Sequence, residues 1–242
     1  MSADTRGAAT VPEPAHLDMT AAGQDQARGR AARAGEVAGE TAGASTDRAP
    51  AAPFGAIILT RHGEPALSRQ CRLTSEEYRA WWQRYEVGGL LEGQIPPACL
   101  VRTGEGAGAI FASSRPRAIE TARAVAGKRS FEVMPLFVEA PLPPPRLPDW
   151  FRTSPRLWGA IARFSWWAFD HHQGEESRRE AEARAEAAAD HLVAHARGGG
   201  EVLLFAHGYF NHMIGTVLKR RGWKLVKDQG FKYWSARRFE LK

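Results

Sequence analysis

From residue 54 onward, short apolar runs alternate with longer segments of helical periodicity. AIILT (56–60) and EVLLFA (201–206) have strand length and almost no polar position, the pattern of strands covered on both faces. AIFASS (109–114) reads as a third such strand, and FEVMPLFVE (131–139) as one interrupted by its proline. Helices are predicted over 74–86, 115–127, 155–169, 175–196 and 212–221. Thr74 and Glu77 suit a capping box at the first of these, and Gly127 suits a stop at the second. KYWSARRFEL (232–241) is predicted as an edge strand, whereas PLPPPRLPDW (141–150) excludes helix and central strand. Strands joined by crossover helices imply an α/β fold, a three-layer α/β/α sandwich around a mostly parallel sheet.

The first 50 residues depart from this pattern. They hold 14 Ala and 6 Gly and no Phe, Tyr or Trp. Such a segment buries too little apolar surface to offset the entropy of ordering it. A disordered tail over 1–50 and a folded domain over 54–242 are therefore expected. At 242 residues and 43% hydrophobic, the chain has enough apolar surface for one substantial core. Its net charge of +6 favours anionic partners. KRRGWKLVK near the C-terminus carries no aromatic-basic reader module, so a nucleic-acid partner is not expected. Cys71 and Cys99 lack metal spacing and make no disulfide framework, which fits a reducing cytoplasm. The N-terminus lacks an apolar h-region and no run approaches 18 apolar residues, so neither a secretory signal nor a membrane span is expected.

Polar chemistry concentrates where the predicted strands end. AIILT leads into Arg61-His62-Gly63, and VLLFA into His207-Gly208. AIFASS ends beside Arg115 and Arg117, and the fourth run ends at Glu139. Ligands of open α/β sheets bind outside the carboxyl ends of the strands. Two imidazoles, at least two guanidinium groups and a carboxylate at such ends suit phosphoryl transfer. A phosphoryl group spreads charge over three oxygens and needs several fixed donors. Arginine supplies planar, permanently charged donors, and a neutral imidazole can attack phosphorus. Glycine after each histidine is expected to let the backbone approach the ligand.

These blocks resemble the histidine phosphatase superfamily, also called phosphoglycerate mutase-like. Arg61-His62-Gly63 matches its R-H-G signature, and SSRPRAIETA (113–122) matches S-x-x-x-R-A-x-x-T-A. Glu139 in LFVEAPL matches its proton donor and His207 in LLFAHGYF its second histidine, so the resemblance runs over about 54–240. It implies a phosphoglycerate mutase-like fold and a phosphomonoester hydrolase, with His62 as nucleophile and Glu139 as acid. Arg61, Arg117 and His207 would hold the phosphoryl oxygens. Ser68 stands where many members carry an asparagine phosphate contact, and its hydroxyl is expected to serve there. The implied substrate is small, anionic and phosphorylated, with no metal and no cofactor. The segment after Glu139, APLPPPRLP, departs from the usual pattern, and the substrate-binding sequence of the mutases after R-H-G is missing. A phosphatase is therefore favoured over a phosphomutase, and a non-catalytic phosphate-binding protein is the third reading.

The remaining polar features have plainer readings. His191 and His195 are spaced i, i+4, but no Glu lies between them as in H-E-x-x-H, so a solvated helix face is expected. TGEGAG (103–108) precedes a strand instead of following one, which rules out a dinucleotide loop. Trp81, Trp82, Tyr85, Trp150, Trp158, Trp166 and Trp167 fall in the two insertions expected to roof the site. Packing onto the domain is their first reading and an aromatic substrate wall the second.

Overall fold

The computed structural model describes residues 53–241. The tail expected over 1–50 lies outside the described residues. Six strands form one sheet in the order β3-β2-β4-β1-β6-β5. They are β1 (Ile57–Arg61), β2 (Ala109–Ser113), β3 (Glu132–Met134), β4 (Val202–Ala206), β5 (Trp223–Asp228) and β6 (Ala236–Leu241). β3, β2, β4 and β1 run parallel, while β6 pairs antiparallel with β1 and β5 antiparallel with β6. The helices are α1 (Ser75–Val87), α2 (Ala98–Gly106), α3 (Pro116–Ala126), α4 (Pro155–Phe169), α5 (Arg178–Ala196) and α6 (Gly208–Arg220).

Alternation along the strands divides the core into two layers. Ile57, Leu59, Val202 and Leu204 face α5 and α6, against Ala185, Ala189, Leu192, Phe210 and Ile214. Ile58, Ile110, Leu203 and Phe205 face the other way, toward Leu100 on α2 and Ala122 and Val125 on α3. This is the expected three-layer α/β/α sandwich. A third cluster, Tyr78, Trp81, Tyr85 and Trp158, joins α1 to α4 apart from the sheet. Thr74 and Glu77 close the capping box at the start of α1, and Ser154 caps α4.

Five elements differ from the expectation. α2 occupies residues 98–106, where no helix is expected. α6 starts at Gly208, directly after His207, and not at residue 212. The strand expected over 131–139 is cut short at Met134 by a 3-10 turn over Pro135–Phe137, since Pro135 cannot continue a ladder. β6 is interior, and the edge belongs to β5, where no strand is expected. Among the described residues, no helix is long and apolar enough to cross a membrane.

Candidate active site

The ends of β1 and β4 bring the two histidines together. The strands pair in parallel register, Arg61 opposite Ala206. His62 and His207 follow these positions, and their ring centroids lie 5.3 Å apart. Both rings are buried. His62 Nδ1 lies 2.7 Å from the Gly63 carbonyl oxygen. A carbonyl only accepts, so Nδ1 carries the proton and Nε2 is left with its lone pair. Arg117 donates its Nε–H to that Nε2 at 3.3 Å and an Nη2–H to Nδ1 of His207 at 3.4 Å. His207 therefore carries its proton on Nε2, which donates to Ser113 Oγ at 2.8 Å. The two neutral rings thus turn their unprotonated nitrogens toward one guanidinium. Burial is the largest cause holding the pKa of each ring well below the ordinary imidazole value, followed for both by the Arg117 charge.

Arg117 is itself completely buried. A buried guanidinium needs a counter-charge and acceptors for its N–H groups. Glu86 on α1 supplies the carboxylate at 2.7 Å, and the Tyr85 and Glu86 carbonyls take the Nη1 hydrogens. The bonds to the histidines, at 3.3 and 3.4 Å, are longer than those to the Glu86 carboxylate and the Tyr85 carbonyl, and they are the ones facing the open cleft. Arg115 stays at the start of α3 and pairs with Glu86 at 2.7 Å, outside the cleft lining. Arg61 stacks on Tyr233, donates to the Phe231 carbonyl, and has a buried Nε without an acceptor.

The motif threonine also has a structural reason. Thr121 Oγ1 accepts from the Gly63 N–H at 2.9 Å and donates to the Arg117 carbonyl at 2.6 Å, tying the end of β1 to α3. Gly63 is required for a reason other than the one expected. A Cβ there would lie 2.5 Å from the Trp234 ring, so its small size admits this indole. Trp234 holds a left-handed backbone at φ 61° and donates its N–H to the His62 carbonyl.

Glu139 lies in the wall of the same cleft. Its Oε1 accepts from the Phe210 N–H at 2.9 Å and its Oε2 from the Tyr209 N–H at 3.3 Å, so the carboxylate caps the first turn of α6. The nearby Arg163 guanidinium lies 3.9 Å from the Tyr209 ring centre and donates to the Ala140 and Pro141 carbonyls, bracing the segment after Glu139. Ser68 does not reach this cleft. Its hydroxyl accepts from the Gln70 N–H at 3.1 Å, a local turn that leaves it exposed in a neighbouring groove. Arg69, the next residue, takes the cleft position instead.

The cleft holds about 300 Å³. His62, His207, Arg61 and Arg117 line it together with Glu139, and Tyr78, Trp81, Trp82 and Tyr85 form an aromatic side. The sequence alone assigns no role to Arg69, Glu86 or Thr121. Only Thr121 had a signal, its place in the S-x-x-x-R-A-x-x-T-A block. His191 and His195 lie elsewhere, packed edge-on against Phe111, and no cluster of three possible metal ligands occurs among the described residues.

Comparison with solved structures finds an open reading frame product of Mycobacterium tuberculosis, 20% identical with a TM-score of 0.46, covering 75% of this chain and 89% of that one. A phosphoserine phosphatase mutant of Entamoeba histolytica, solved with phosphoserine, is 14% identical with a TM-score of 0.48, covering 69% and 81%. A phosphoglycerate mutase of Bacillus anthracis is 18% identical with a TM-score of 0.46, covering 71% and 82%. No curated protein matches the sequence. A family model does, the histidine phosphatase superfamily (branch 1), over residues 100–240. The match spans more than half of the chain and contains Arg117, Glu139 and His207, and strand pairing adds the R-H-G block that precedes it. The chain belongs to the histidine phosphatase superfamily.

Proposed function

We propose that the protein is a phosphatase that hydrolyses a phosphomonoester through a phosphohistidine on His62. One observation carries this reading. The Nε2 lone pair of His62 faces the cleft between Arg117 and His207, while the proton sits on Nδ1 against the Gly63 carbonyl. That is the ring state a nucleophile needs.

In the proposed reaction, the Nε2 lone pair forms the N–P bond as the bond from phosphorus to the ester oxygen breaks. Arg117 redirects its Nε–H and Nη2–H from the histidines to the phosphoryl oxygens, and Arg61 offers its unpartnered Nε–H. The His207 imidazole stands beside the same oxygens. These fixed donors act where charge develops. Glu139, as a carboxylic acid, gives its proton to the departing oxygen. Water then attacks phosphorus, the N–P bond breaks, and Glu139 takes the proton back. Arg69 stands where Ser68 was expected, which supports an altered arrangement around the leaving group.

The test is release of phosphate from phenyl phosphate together with an acid-labile phosphoryl label. Both should disappear in His62→Ala. Turnover retained in that variant, or a protein that never labels across a panel of phosphate esters, would overturn the reading. Phosphoryl transfer between two metabolites without net phosphate release would point to a mutase.

A further inference from the structure

The cleft holds more positive charge than one phosphoryl group uses. Arg61, Arg69, Arg117, Arg156 and Arg163 line it, against the single carboxylate of Glu139. Glu86 balances Arg117, Arg61 stands beside the histidines, and Arg163 is engaged with backbone carbonyls. Arg69 and Arg156 remain. Among the described residues, neither makes an ion pair with a carboxylate.

Arg69 is held in place yet incompletely bonded. Its Nη2 donates to Tyr85 Oη at 2.7 Å, and its guanidinium lies 5.1 Å from the Tyr85 ring centre and 5.7 Å from that of Tyr233. Its Nε–H is buried without an acceptor. An unmet buried donor is costly unless a ligand fills it. Arg156, in the first turn of α4, is exposed and makes no side-chain hydrogen bond among the described residues. Both arginines also line a second cavity of about 540 Å³, bordered by Glu64, Ser68, Gln70 and Ser154. They therefore stand at the boundary shared by the catalytic cleft and this groove.

We propose that Arg69 and Arg156 form a second anion subsite at the boundary of the two cavities. The substrate would then be an extended phosphomonoester whose leaving group carries a carboxylate or a second phosphoryl group. This rests on the phosphatase reading for its orientation: the reacting phosphoryl group lies at the histidines and the second anion at the boundary. Among the described residues no carboxylate pairs with either arginine, Glu64 on the same groove included, so an anion at the shared boundary takes charge-assisted contacts from both and meets the free Nε–H. A site built to bond an anion discriminates against a ligand that lacks one.

Binding of non-hydrolysable phosphonates to the full chain tests this by calorimetry. One series carries a terminal carboxylate, a second a terminal phosphonate and a third a terminal methyl, over increasing chain length. At the best length, an anionic terminus should bind on the order of tenfold tighter than the methyl counterpart, the effect of one charge-assisted contact. The better of the two anionic series identifies the second group. Arg156→Ala, an exposed position, should remove that advantage, weakening the anionic series far more than the methyl series; Arg69→Gln should also reduce the advantage. No preference at any length, or a preference kept in Arg156→Ala, overturns the proposal. Preference for the anionic terminus in a protein that hydrolyses no phosphate ester would overturn the phosphatase reading and leave the subsite standing. Hydrolysis without the preference would overturn the subsite alone.

Discussion

The Nε–H of Arg117 meets Nε2 of His62, the nitrogen that must be free to attack, 3.3 Å away. A proton on Nε2 would face a permanent cation, so the neutral ring is favoured. With the pKa of His62 lowered by burial and then by Arg117, activity should persist below pH 6.5. Arg117→Gln removes the second of these causes. It should lower kcat/KM on phenyl phosphate by about 10²–10³, the effect of losing one fixed donor, and move the acid limb to higher pH. An acid limb that stays in place would show that the Arg117 charge does not govern the ring.

Burial of two neutral histidines also ties stability to pH. Both rings have folded pKa values below 6.5, so between those values and 6.5 the unfolded chain binds more protons than the folded one. Stability then rises with pH across that window and is lost as pH falls below 6.5, by up to about 1.4 kcal/mol per pH unit for each ring. Urea unfolding at pH 7.5, 6.5 and 5.5 measures the slope. His207→Gln should make it shallower, and an identical slope in that variant would contradict the linkage.

Gly63 and Trp234 should behave as a coupled pair. The Cβ of Gly63→Ala meets the indole at 2.5 Å. This overpacking should cost ~1–3 kcal/mol and disturb the carbonyl that orients His62. In a Trp234→Gly background the same change should cost clearly less, because neighbouring sites are not additive. Equal costs in both backgrounds would mean that the indole is not what excludes a larger residue.

Glu139 has two roles to separate, proton donor and cap of α6. Glu139→Gln keeps a side-chain oxygen for the α6 N–H groups, so its stability loss should stay near ~1 kcal/mol, the scale of a helix cap. As the acid, it should matter little for p-nitrophenyl phosphate, whose leaving group needs no proton. For alkyl phosphates kcat should fall about 10²–10⁴-fold, the contribution of general acid catalysis. An equal loss on both substrates would leave Glu139 as a cap and give the proton another source.

β1 and β4 are legible in the sequence because both of their faces are covered, which writes each as one apolar run. α2 is not legible, since the glycines of TGEGAG lower helix propensity. Packing overrides that propensity. A Cβ on Gly104 would meet Val125 Cγ1 at 2.8 Å, so glycine lets α2 approach α3 closely. β6 looks like an edge strand because of Arg237 and Arg238. Yet Arg237 is buried, near the Phe231 and Phe239 rings with Asp228 as partner, while the exposed Lys224 and Lys227 place the edge in β5. Within the site, the residues at strand ends are readable because topology sends them to one rim. Glu86 and Arg69 are not, since their positions depend on how α1 and its leading segment fold over that rim, which no local pattern records.

The sheet order has a consequence for synthesis. β1 lies between β4 and β6, both of which leave the ribosome long after it. The strand that delivers Arg61 and His62 has no neighbour to pair with until residues 202–241 emerge. A nascent chain must therefore carry an unpaired apolar strand until β4 has been made. The rim that sets His62 beside His207 is completed only as β4 and then β6 close on β1.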